Sequence, residues 1–71
     1  MRTVRHWWNG SEEARRRDVY LRTDGRRWEI ESREGGEGGR SARRTYATED
    51  EAQRVLREWL GTTVDWRDLP T

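Results

Sequence analysis

The chain has no cysteine and no lysine, and it is poor in hydrophobic residues, at 30% against 41% charged. Without cysteine there are neither disulfides nor thiolate metal sites, and the fold is indifferent to the redox state of its compartment. No apolar run is long enough for a signal peptide or a membrane span, so the expectation is a cytoplasmic protein with no membrane partner. So low an apolar content would suggest disorder if the charges were of one sign. Fifteen basic residues instead face fourteen acidic ones for a net charge of +1, and five tryptophans supply large buriable areas. Seventy-one residues lie near the lower limit for folding without disulfides or metal. The composition therefore predicts one small domain over residues 1–71, with a tryptophan-rich interior that a homodimer contact could complete. Every basic residue except His6 is arginine. Arginine pairs bidentately with phosphate and carboxylate, which suits a phosphate-reading surface, although codon bias in a GC-rich genome gives the same usage. At a net charge near zero, affinity for nucleic acid has to come from local clustering.

The pattern along the chain predicts an α+β domain: a three-stranded antiparallel sheet packed against one C-terminal α-helix, with Trp-rich terminal segments. Residues 18–61 form the predicted core. Asp24-Gly25 is a two-residue type I′ turn signal between runs containing Val19, Tyr20, Leu21, Trp28 and Ile30. That loop would set Leu21 opposite Trp28 and Val19 opposite Ile30 on the apolar face. On the other face Tyr20 would oppose Glu29, Asp18 would oppose Glu31, and Arg22 would oppose Arg27. Opposed like charges cost stability unless neutralised, by a phosphate or by the diagonal Glu29. The stretch "EGGEGGRSARR", residues 34–44, reads as a flexible Gly-rich loop ending in Arg40, Arg43 and Arg44, interrupted by Glu34 and Glu37. "RTYAT", 44–48, reads as the third strand, with Tyr46 inward and Thr45 outward. Thr48-Glu49-Asp50-Glu51 is a capping box, followed by an apolar stripe at Ala52, Val55, Leu56, Trp59 and Leu60 and a stop at Gly61. Residues 1–17 are predicted as an arm, an extra strand or a short helix begun by a cap at Ser11. Residues 62–71 are predicted as a tail that folds back through Trp66 and Leu69.

The residues offer little for catalysis. Ser11, Ser32 and Ser41 stand in polar or loop contexts, and the lone imidazole, His6, is remote from them in sequence. The clusters Glu12-Glu13 and Glu49-Asp50-Glu51 sit where helix starts favour negative charge, and no phosphate-loop or dinucleotide fingerprint appears. The expectation is a non-enzymatic protein with no cofactor and no metal. A comparison with double-stranded RNA-binding domains fails at the helix start, where Thr-Glu-Asp-Glu would repel phosphate.

The segment from Asp24 to Leu56 resembles the arm-type DNA-binding domain of tyrosine integrases. "DGRRWEIE" is similar to the family's Asp-Gly-Arg-Trp hairpin with one extra arginine. In "YATEDEAQRVL", Tyr46, Thr48, Glu51, Ala52, Val55 and Leu56 occupy the family's aromatic, cap, Glu-Ala and apolar positions. The match covers about half the chain and consists mostly of folding residues. It implies an open sheet face that enters the major groove of DNA, with Tyr20, Arg22, Arg27, Arg43 and Thr45 as contacts, while Glu29 and Glu31 share that face. No integrase catalytic domain accompanies the segment, so the resemblance implies binding without recombination. The sequence reading is thus a small DNA-binding protein whose nucleic-acid contacts are Tyr20, Arg22, Arg27, Arg40, Arg43, Arg44 and Thr45, with the arginines on phosphates or guanine edges. The alternative is a protein-interaction or inhibitor module that binds a protein partner through the mixed-charge sheet face and the exposed member of the Trp7-Trp8 pair.

Overall fold

The computed structural model describes residues 1–36 and 38–71, so the Glu37 of the predicted loop lies outside the described residues. The fold is α+β, with one antiparallel sheet and one α-helix. Its strands are β1 (Arg2–Trp8), β2 (Arg17–Thr23), β3 (Trp28–Glu34), β4 (Arg40–Tyr46) and β5 (Arg67–Leu69), and the helix α1 spans Glu49–Leu60. The sheet has five strands in the order β4-β3-β2-β1-β5, where the sequence pattern predicted three. Both added strands come from the termini. β1 pairs along β2, and the tail brings β5 back to the outer edge of β1.

The β2–β3 hairpin is set by its turn. Asp24 Oδ1 accepts from the backbone amides of Arg26 and Arg27, at 2.9 and 2.8 Å, and Thr23 Oγ1 accepts from Gly25 N while donating to Arg27 O. These side-chain bonds stabilise a four-residue loop in place of the predicted two-residue turn. The register consequently differs by two residues from the predicted one: Leu21 pairs with Ile30, Tyr20 with Glu31, Arg22 with Glu29 and Asp18 with Arg33. An even shift keeps every side chain on its predicted face. It also removes the Arg22/Arg27 opposition and puts a carboxylate across from Arg22.

Strand β4 begins at Arg40, four residues earlier than predicted, so Arg40 and Arg43 lie in a strand and not in a Gly-rich loop. Between β3 and β4 the described residues Gly35, Gly36, Gly38 and Gly39 form no strand, and Gly35 N donates to Arg16 O. Gly39 sits against the backbone of Glu34, so that a Cβ there would collide with main-chain atoms of Glu34 and Gly35. Gly39→Ala is therefore expected to destabilise the protein by about 1–3 kcal/mol, lowering its melting temperature by about 4–8 °C per kcal/mol in a thermal melt. Gly38→Ala, with open space around the new methyl but φ +80°, tests the separate cost of a left-handed backbone.

Helix α1 follows its sequence signals. Thr48 caps it by accepting from Glu51 N, and Gly61, at φ 65°, closes it with its amide bonded to Arg57 O. Ala52 and Leu56 are buried against Val19, Leu21 and Ile30. Trp7, Trp28, Tyr46, Val55, Trp59, Leu60 and Trp66 pack around them, and Trp66 Nε1 donates to Leu60 O, which holds the tail in place. The "SEEARRR" segment forms a single 3-10 turn at Glu13–Arg15 without a side-chain cap, so Ser11 is not its cap. The Ser11 carbonyl instead accepts from Trp8 Nε1. Among the described residues no helix is long and apolar enough to cross a membrane.

Candidate nucleic-acid interface

The pairing of the strands sorts their side chains into two faces. On the helix side lie the rows Asp68-Trp7-Val19-Ser32-Ala42 and Arg5-Leu21-Ile30-Arg44. On the open side lie Arg67-Trp8-Asp18-Arg33-Ser41, then Leu69-His6-Tyr20-Glu31-Arg43, then Thr3-Arg22-Glu29-Thr45. Of the residues predicted to contact nucleic acid, Tyr20, Arg22, Arg43 and Thr45 share the open face. Arg40 and Arg44 alternate onto the helix side of β4, and Arg27 sits in the β2–β3 turn. A single surface from all seven is thus not what the fold makes: a strand sends adjacent side chains to opposite faces, and the predicted loop would have let Arg40, Arg43 and Arg44 converge.

Two buried carboxylates organise the open face. Glu31 is 2% exposed and carries three arginines. Arg22 Nη1 donates to its Oε1, Arg33 donates from Nε to Oε2 at 3.1 Å and from Nη2 to Oε1, and Arg43 Nε lies 3.6 Å from Oε2. Burial pushes the Glu31 carboxyl up, but the hydrogen bonds from Arg22 and Arg33 outweigh it and hold the group below its ordinary value. Asp18, 3% exposed, accepts from Arg16 Nε at 2.8 Å and from His6 Nε2 at 2.6 Å. Its carboxyl is likewise pushed up by burial and held low, on balance, by bonds from Arg16 and His6. The guanidiniums of Arg16 and Arg33 are correspondingly held above their ordinary value, chiefly by their hydrogen bonds to Asp18 and Glu31.

The aromatics of this face are already sandwiched. His6 stacks on Tyr20 with centroids 4.2 Å apart, and the guanidiniums of Arg22 and Arg33 lie 4.6 and 5.2 Å from the Tyr20 ring. Trp8 lies between Arg16 and Arg67. Both rings are thus already engaged by cationic or aromatic neighbours, which a base stacking on them would have to displace. Trp7 points to the helix side and packs against the core, with Arg5 over it. The predicted split of Trp7 and Trp8 between two faces is therefore observed, but both are half-buried and neither is a free anchor.

No family model matches this chain, and no curated protein or solved structure is significantly similar to it. The chemistry has to be read from the geometry alone. Arg22 is the one predicted arginine fully engaged inside the sheet: it bonds Glu29, Glu31 and Thr3 Oγ1, and its side chain is 18% exposed. Sequence reasoning missed Arg16, Arg33 and Arg67. The alternation of Glu29, Glu31 and Arg33 along β3 was the available signal for Arg33, whereas the positions of Arg16 and Arg67 follow from the β1–β2 and β1–β5 pairings.

Charge is unevenly distributed. Twelve of the fifteen arginines and eight of the fourteen acidic residues lie in residues 1–48, leaving +4 there, while residues 49–71 hold three arginines and six acids, for −3. Helix α1, with its acidic first turn, lies against β3 and β4 on the side away from the open face. On that face Arg16, Arg22, Arg33, Arg43 and Arg67 stand against Asp18, Glu29 and Glu31, with Glu12 paired to Arg16, an excess of one positive charge. No group of three or more metal-ligating side chains occurs among the described residues.

Proposed function

We propose that the protein is a non-enzymatic binder of duplex DNA that uses its open sheet face. The observation that carries this reading is the layering of charge. The carboxylates Asp18 and Glu31 lie at the floor of the face, nearly inaccessible, while the side chains of Arg33 and Arg43 are 48% and 65% exposed above them. An approaching polyanion meets guanidinium first. The carboxylates beneath pre-orient these groups and cost the ligand less than exposed acids would, because guanidinium separates them from it. The acidic helix on the opposite side orients the whole molecule sheet-first in the field of a phosphate backbone.

Duplex is favoured over single strands because Tyr20 and Trp8 are already covered. The major groove, about 12 Å wide, admits a two-stranded ribbon but not five strands spaced about 4.8 Å apart. The ribbon that fits is β3–β4 at the sheet edge, presenting Arg33, Ser41, Arg43 and Thr45, with Arg16 and Arg67 placed over flanking phosphates. The resemblance to integrase arm-type domains, whose sheet enters the major groove, supports the same docking mode. In fluorescence anisotropy with labelled duplex, three to four phosphate contacts would give a log–log salt slope of about −3 to −4 and an affinity falling by about one and a half to two orders of magnitude between low and moderate salt. Absence of binding at low salt would defeat the proposal. A protein partner is the second reading, favoured by the outer edge of β4, which pairs with no strand among the described residues, and capture of one discrete protein with no duplex binding would promote it.

A further inference from the structure

We propose that Arg33 and Arg43 form a two-guanidinium clamp for a single phosphate group, with Glu31 as its positioning residue. The clamp rests on the DNA reading above, in which the phosphate is a backbone diester. Two adjacent cations on neighbouring strands would ordinarily splay apart. Here Nε of Arg33 and Nε of Arg43 are drawn to the same carboxylate oxygen, Glu31 Oε2, at 3.1 and 3.6 Å. Arg22 bonds the other oxygen, so both carboxylate oxygens of Glu31 are engaged by guanidinium groups. A guanidinium has five N–H donors. Arg33 commits Nε and Nη2 to Glu31, and Arg43 approaches it through Nε, so Nη1 of Arg33 and both Nη groups of Arg43 have no hydrogen-bond partner among the described residues.

The charge balance is positive, as a phosphodiester requires. Arg22, Arg33 and Arg43 against Glu29 and Glu31 leave one positive charge, and Arg40, which lines the same depression, adds a second. Both clamp arginines also line a depression of about 240 Å³ with Glu31 at its base, Arg40 at its rim and Gly38, Gly39 and Ser41 beside them, and Ser41 pairs with Arg33 across the strands. The glycines put no side chain in the way of an approaching oxygen, and the Ser41 hydroxyl adds a neutral donor on the same face.

Arg33→Lys/Arg43→Lys in the full chain keeps the charge and removes the forked donors. Its duplex affinity is expected to fall about tenfold at constant salt, while Arg54→Lys/Arg57→Lys on the helix remains at the wild-type value. In a second arm inorganic phosphate is titrated while the arginine Nε–H resonances are followed by NMR. The Arg33 and Arg43 signals are expected to move most, that of Arg40 at the rim of the same depression less, and the remaining arginine signals to stay. In Glu31→Gln the same two signals should stop responding although both arginines remain, and the lysine pair carries the test if that variant does not fold. A lysine double variant that binds duplex as tightly as wild type overturns the clamp and leaves the DNA reading standing. Phosphate shifts at Arg33 and Arg43 without any duplex binding establish a seat for free phosphate and overturn the DNA reading. Shifts spread evenly over all arginines, or none, overturn the clamp.

Discussion

Leu56→Ala is expected to remove about half of the stability of this protein, a loss of about 2–5 kcal/mol. The fully buried apolar core consists of Val19, Leu21, Ile30, Ala52 and Leu56, and Leu56 is the largest residue that the helix contributes to it. A domain of this size has a stability of about 4–10 kcal/mol in total. Its helix meets the sheet chiefly at β3 and β4, so few other contacts can take over when that side chain is shortened. The surrounding tryptophans are large and partly exposed, and they cannot collapse into the cavity without giving up Trp66 Nε1 to Leu60 O or the stacking of Arg5 on Trp7. The melting temperature should drop by at least about 10 °C in a circular dichroism melt. Arg54→Ala, on the exposed side of the same helix, should stay within about 0.5 kcal/mol of wild type. Equal melts for Leu56→Ala and wild type would mean that the helix is not anchored where the structure places it.

Legibility of the chain was greatest where a local signal and its tertiary use coincided. Thr48, Gly61 and the stripe from Ala52 to Leu60 specify α1 by short-range chemistry, and the helix begins and ends where they indicate. The α+β class and the alternation of β2 and β3 were equally readable, since the side-chain period of a strand survives any even shift of register. The hairpin register was not, because "TDGRRW" supports two turns. The choice between them lies with the hydroxyl of Thr23 and the carboxylate of Asp24, which satisfy amides that a two-residue turn would leave to the strands. Strand β4 was hidden for a different reason: "RSARRT" has almost no apolar residue, and as an edge strand it buries almost nothing, so hydrophobic alternation gives no trace of it. The terminal strands depend on long-range pairings, of β1 with β2 and of β5 with β1, which no local pattern encodes. For the candidate interface, the open face and its mixed sign were legible. The depth of the two signs was not, because burial of Glu31 and Asp18 follows from neighbours on three strands.

Acidification should unfold the protein through those same two carboxylates. Asp18 and Glu31 both titrate below their ordinary values in the native state, 3.8 for an aspartate and 4.5 for a glutamate. The unfolded chain therefore takes up protons at a higher pH than the folded one. The stability due to these groups is fully present above about pH 5 and is lost progressively as the pH falls through the depressed native values. A thermal melt series should show a plateau near neutrality and a steep fall below about pH 4.5. Asp24, held low first by the Arg27 amide and then by the Arg26 amide, adds to the same limb, so some slope survives in any variant that spares it. Asp18→Asn/Glu31→Gln removes the charge at both floor positions while keeping their shape. At neutral pH the variant should lose about 1.5–3 kcal/mol through weakened charge-assisted bonds. The loss is limited because Arg16 and Arg33, 33% and 48% exposed, can turn toward water. Its acid limb should be distinctly flatter than that of wild type, and the two curves should converge at low pH. Parallel curves would place the acid sensitivity elsewhere and would remove the grounds for treating the buried carboxylates as the foundation on which the outward guanidiniums are set.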